Sequence, residues 1–173
     1  MNVAFLLSLS WPRHTRDLLS PYHKVSVIHT AQNKSLSQLE STMSLSGKVI
    51  IVTGGSKGIG RAISNRLAQD GASVVVNFSR DASAADEVVK AIGPDKALAV
   101  QADVGSVAGV EKLVAATVER FARVDVVIPN AGIMPMRIIE STTEEDFDRA
   151  FALNVKGPYF LAKVGLLIFS APL

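Results

Sequence analysis

Two groups of residues have types and spacings that could do chemistry. The first lies in "GPYFLAK", where Tyr159 and Lys163 stand four positions apart. On a helix, that spacing puts both side chains on one face. A phenol beside an ammonium is an acid–base pair. The second is the glycine-rich "TGGSKGIG" at 53–60. Gly54, Gly58 and Gly60 fall where a backbone must turn sharply, approach a pyrophosphate and let a helix pack on a strand, with Ser56, Lys57 and Ile59 between them. A helix starting there offers unpaired amides and the positive end of its dipole to an anion.

These residues need elements to hold them. "KVIIV" (48–52) is a short β-branched run of the kind buried on both faces of a sheet. After the glycine turn, "RAISNRLAQDG" (61–71) reads as an amphipathic helix stopped by Gly71. "SVVVNF" (73–78) is a second strand and "AADEVVKAIG" (84–93) a second helix. "KALAVQAD" (96–103) is a third strand. "SVAGVEKLVAATVERFA" (106–122) is a third helix, with Val110, Leu113, Val114, Thr117 and Val118 on its inner face. "VDVVIPNAG" (124–132) is a fourth strand with its exit turn, and "TTEEDFDRAFALN" opens a fourth helix. Thr142 and Glu145 have the spacing of a capping box there. Strand and helix alternating four times predict an α/β fold, a doubly wound parallel sheet with helices on both faces. The nucleotide-binding strand order 3-2-1-4 fits it best.

The Thr-Gly-x-x-x-Gly-x-Gly spacing resembles that of the short-chain dehydrogenase/reductase family. "ADV" (102–104), "NAG" (130–132) and "LNVKGPYFLAK" (153–163) resemble further motifs of that family in the same order. The resemblance covers about residues 46–165. It implies that Asp103, with Val104, holds the adenine of a dinucleotide. It implies that Asn130, Ala131 and Gly132 close the fourth strand beside the cofactor, and that Asn154 is the asparagine of a catalytic proton relay. Pro129 departs from the family, which has an asparagine there. Pro158 lacks the amide that would bond the Asn154 carbonyl, so a kink freeing that carbonyl for water is expected.

The end of the second strand bears on the choice of nicotinamide. A carboxylate there would accept from a ribose 2′-hydroxyl and repel a 2′-phosphate. This chain has "NFSR" (77–80) instead. Asn77 is neutral, Ser79 can donate, and Arg80 offers a planar fork to a phosphate. Lys57 adds a positive charge, while Asp81 opposes one. NADP(H) is therefore expected over NAD(H).

In the family, the catalytic serine lies on a fifth strand and the Tyr-x-x-x-Lys pair on the helix after it. Tyr159 and Lys163 instead follow Asn154 on the same helix, with no strand or serine between. They are expected to be packing and surface residues, a decoy for the catalytic pair. The chain as given is expected to be a C-terminally truncated member that lacks the later strands and helices and binds cofactor at most. The alternative is a non-catalytic nucleotide-binding or regulatory module. A small carbonyl or alcohol substrate is expected only for a longer form, and the usual family oligomer interface is expected to be largely missing.

Composition narrows the remaining classes. The 173 residues are 48% hydrophobic and 20% charged, which is a globular composition. A formal charge of +2 gives no electrostatic case for nucleic acid or an anionic membrane. The absence of cysteine excludes disulfides, zinc–thiolate sites and a thiol nucleophile. The composition shifts at 43–46, so residues 46–173 are read as the domain. Residues 1–45 are expected to be a disordered extension or an artefact of a gene start placed upstream of Met43. No signal peptide or presequence is clear there. A cytoplasmic location is expected, with a mitochondrial one as the alternative.

Overall fold

The structure, a computed structural model, describes residues 44–169. The extension expected before the domain lies almost wholly outside them. Leu45 already belongs to the domain. Its amide donates to the Asp70 carbonyl at 2.8 Å, and its side chain packs on the core.

Strands β1 (Val49–Val52), β2 (Ser73–Phe78), β3 (Ala97–Gln101) and β4 (Val126–Ile128) form one parallel sheet in the order β3-β2-β1-β4. This is the expected doubly wound order. Every β1 residue is buried, and Ile51 pairs with Val75 on one side and Val127 on the other. β-Branched residues dominate β1 and β2 because a strand covered on both faces has no solvent side to make polar.

Side chains alternate across the sheet and feed two cores. Ile51, Val75 and Val100 face helices α3 (Val107–Phe121) and α5 (Gly157–Phe169), meeting Val110, Leu113 and Leu161. Ile50, Val52, Val74 and Val76 face the opposite way, toward α1 (Gly58–Gln69) and α2 (Ala82–Ile92), meeting Val88, Ile63 and Leu67. Fully burying one such side chain contributes roughly 1.5–3 kcal/mol, so the central strands anchor the site above them. Val110, Leu113, Val114 and Thr117 are buried in α3 as expected, but Val118 is 37% exposed. Its position lies one residue beyond Thr117, where the 3.6-residue turn carries it off the inner face.

The capping box falls one residue later than expected. Thr143, not Thr142, caps α4 (Glu144–Phe151), and Asp146 completes the box in place of Glu145. Thr142 is already committed: it closes a short 3₁₀ turn over Ile139–Ser141, and its hydroxyl donates to the Ile138 carbonyl at 3.2 Å.

Between α4 and α5 the helix widens into a π turn over Ala152–Lys156, and the Gly157 amide donates to the Ala152 carbonyl five residues back. The irregularity expected near Pro158 is thus a π turn before it. A Cβ on Gly157 would lie 2.4 Å from the Val104 carbonyl oxygen, so glycine is what lets the helix pack this closely on the chain leaving β3. Among the described residues, no helix is long and apolar enough to cross a membrane, and no cluster of potential metal ligands occurs.

Candidate functional site: a pocket at the carboxyl ends of the strands

The glycine turn leaves β1 at Thr53 and enters α1 at Gly58. Gly58 has φ +51°, and a Cβ placed on it would meet nothing within 4 Å, so this edge of the turn is open. Gly60 is the opposite case. A Cβ there would lie 2.1 Å from the Gly54 carbonyl oxygen. The turn can fold back on the helix only if that side chain is absent.

The start of α1 differs from those of the other helices. Asp81 caps α2 by accepting from the Ala84 amide at 3.0 Å. Ser106 caps α3 by accepting from the Gly109 amide at 3.0 Å. α1 begins after Lys57, which makes no side-chain cap. The amides of Gly58, Ile59 and Gly60 have no acceptor among the described residues. Such amides, at the positive end of the helix dipole, favour an anion.

A web of hydrogen bonds holds the turn beneath them. The Thr53 hydroxyl accepts from the Asn130 and Ala131 amides at 2.9 and 3.0 Å. The Asn130 side chain donates to the Thr53 carbonyl at 2.8 Å and, more weakly, to that of Gly54 at 3.3 Å. Asn130 therefore braces the turn from β4.

Beside the turn lies a pocket of about 760 Å³, within the size range of small-molecule sites. Gly54, Asn77, Ser79, Arg80, Asp103, Val104 and Ala131 line it, so seven of the expected residues converge on one cavity. Ser79 and Arg80 are exposed there. Asp103 offers a carboxylate whose Oδ1 accepts from the Gly105 amide at 3.0 Å. Val104 contributes from beneath, because its side chain is 3% exposed and sits in the core.

The remaining expected residues do not line this pocket. Gly58, Ile59 and Gly60 form the helix start, and Ile59 is 75% exposed. Ser56 is buried under the turn. Lys57 pairs with Asp81 at 2.5 Å. That hydrogen bond and the Ala84 amide hold the Asp81 carboxyl below its usual range. The acid expected to oppose a phosphate is thus itself paired. Gly132 stands against Asn154, whose Oδ1 would be 3.3 Å from a Cβ there.

Asn154 clamps the backbone of Ile133. Its side-chain amide donates to the Ile133 carbonyl at 2.7 Å, and its Oδ1 accepts from the Ile133 amide at 2.9 Å. This fixes the start of a loop whose residues Ile133, Met134, Pro135 and Arg137 wall the pocket. An Arg137–Asp146 ion pair at 2.9 Å holds the same loop farther along. The Thr143 amide and hydroxyl, with Arg137, keep the Asp146 carboxyl below its usual range.

Sequence reasoning missed Arg137, Arg149, Ala152 and Leu153 as pocket residues. The i, i+3, i+4 spacing of the last three marks one helix face, but nothing in the sequence tells which cavity that face meets.

Tyr159 and Lys163 are not in the pocket lining. Tyr159 is 68% exposed and packs edge-on against Phe160, with ring centroids 5.4 Å apart. The Lys163 ammonium lies 5.6 Å from the centre of the same ring.

A parallel 3-2-1-4 sheet with a glycine turn at its central crossover defines a nucleotide-binding α/β architecture. Residues 48–170 match the short chain dehydrogenase family, and the chain belongs to that family. It is 44% identical over 121 residues to a hydroxynaphthalene reductase of Aspergillus fumigatus, covering 69% of this chain and 44% of that protein. A short-chain dehydrogenase of Burkholderia cenocepacia, solved in complex with NADP, superposes with a TM-score of 0.70 at 35% identity, covering 72% of this chain and 52% of that one. A 3-ketoacyl-(acyl-carrier-protein) reductase of Brucella melitensis, solved with NADH, gives 0.68 at 38% identity, covering 73% and 52%. The chain spans about half the length of the curated relatives it matches.

Proposed function

We propose that the domain binds a nicotinamide dinucleotide across the pocket, NADP(H) in preference to NAD(H). In this reading it is the cofactor-binding half of a carbonyl–alcohol oxidoreductase. The observation that carries the reading is the uncapped start of α1, whose three unpaired amides stand at the glycine turn that borders the pocket. The residues present fit such a cofactor. The amides and the open edge at Gly58 suit a pyrophosphate, Asp103 offers an acceptor to an adenine amine, and the guanidinium of Arg80 suits a 2′-phosphate. When bound, the nicotinamide supplies hydride transfer. The protein's own residues bind and orient it.

Asn154 is the one residue of this segment assigned to the proton relay. Its side chain is engaged with Ile133, so its part is played through position and backbone. Tyr159 and Lys163 take no part in this reading, since both stand outside the pocket lining. The domain begins at 46 or just before it, and the protein is a cytoplasmic one.

Calorimetric titration with NADPH and NADH at low and moderate salt tests this. NADPH should bind at least tenfold more tightly, and its advantage should shrink as salt screens the arginine. Equal affinities at both salts would overturn the preference.

A further inference from the structure

Asn77 was expected to meet the cofactor directly. The structure turns it inward. It is 2% exposed and follows Val75 on the face of β2 that looks toward α3 and α5. Its side-chain amide donates to the Ala102 carbonyl at 3.0 Å and to those of Val100 and Phe78 at 3.3 and 3.4 Å. Its Oδ1 accepts from the Gly54 amide at 3.4 Å, and its backbone carbonyl accepts from the Gly55 amide at 2.9 Å. Only this orientation works, because the reverse would set an oxygen against three carbonyls.

One buried residue thus touches both ends of the pocket. Gly54 and Gly55 belong to the phosphate turn. Ala102 immediately precedes Asp103, the carboxylate at the adenine end. We propose that Asn77 is a positioning residue that fixes the spacing between these two subsites. Its role is to match that spacing to a ligand that spans both. This rests on the dinucleotide reading above.

The chemistry of the asparagine side chain is what the position needs. Two strand ends present outward carbonyls, and the turn presents an amide. A primary amide brings two donor hydrogens and a separate acceptor oxygen, whereas a hydroxyl has a single donor hydrogen. An aspartate would accept from Gly54 but set a carboxylate against the Ala102 and Val100 carbonyls. A serine would retain one short hydrogen bond at most and leave buried groups unpaired.

A ligand confined to one end should not sense the spacing. Asn77→Asp should therefore weaken NADPH at least tenfold while leaving adenosine 2′-monophosphate within threefold of the parent, with a cooperative thermal transition retained. Equal loss for both ligands would reduce Asn77 to a merely structural residue, and unchanged NADPH affinity would remove its role. Amide exchange by NMR on the ligand-free protein separates this inference from the dinucleotide reading. The substitution should deprotect Gly54 and Gly55 together with Ala102 and Gly105. Deprotection confined to one of these segments would overturn the coupling, even if NADPH binds neither protein. Should Asn77→Asp fail to fold, the neutral Asn77→Ser carries the same comparison.

Discussion

The starts of α1 and α2 are joined by one ion pair, yet they are built in opposite ways. Lys57 precedes α1 and caps nothing, while Asp81 precedes α2 and accepts from its third residue. α3 and α4 follow the α2 pattern, with Ser106 and Thr143 as caps. A capped end satisfies its own amides and serves the fold. The α1 end leaves three amides open, a local cost that makes sense where a ligand completes the helix. The difference sets the start of α1 apart independently of any glycine count.

The strongest way to break this contrast is at Gly60. Gly60→Ala places a methyl 2.1 Å from the Gly54 carbonyl oxygen, so the turn must open. NADPH affinity should fall about a hundredfold, roughly 2.7 kcal/mol, as read by calorimetry. Next, Lys57→Ser gives α1 a capping hydroxyl like that of α3. The cap, worth about 1 kcal/mol, should outweigh loss of the exposed Lys57–Asp81 pair in thermal unfolding while weakening NADPH more than tenfold, since the hydroxyl competes for the same amides and the lysine charge is gone. Stability and affinity moving together would refute the idea of an end left open for ligand.

Arg80→Ala should lower NADPH affinity about tenfold and leave NADH unchanged, which separates recognition of the 2′-phosphate from general attraction. Thr143→Ala should cost about 1 kcal/mol of stability with little change in cofactor affinity. The smallest effect concerns acid. The Asp81 and Asp146 carboxyls are both held below their usual range in the fold. Their contribution is therefore present above the unfolded carboxylate pKa near 3.9 and is lost as pH falls through the lower folded values. Asp146→Asn should flatten the acid limb of a thermal-stability profile below about pH 4, because that carboxylate no longer titrates.

The sheet was largely legible in the sequence. β-Branched runs such as "VIIV" and "SVVVNF" admit few alternatives when turns and helical repeats separate them, and both became fully or nearly buried strands. The glycine turn was legible for the same reason, since few residues tolerate its backbone. What escaped depended on side-chain direction and competition. Nothing local reveals that Asn77 faces inward, because that follows from the parity of β2 and from carbonyls contributed by β3. The capping register shifted because Thr142 had a better partner in the preceding turn. Arg137 and Arg149 reach the pocket from a loop and a helix whose approach is set by the Asn154 clamp and the π turn, both tertiary features.

The central claim is that ligand chemistry belongs to the glycine turn and the β3 exit, and that Tyr159 with Lys163 stands apart from it. Amide NMR on the full chain during NADPH addition tests this most directly. Shifts concentrated at Gly58, Ile59, Gly60 and Asp103, with Tyr159 and Lys163 unmoved, are the predicted result. Shifts centred on Tyr159 and Lys163, with the glycine turn silent, would contradict it.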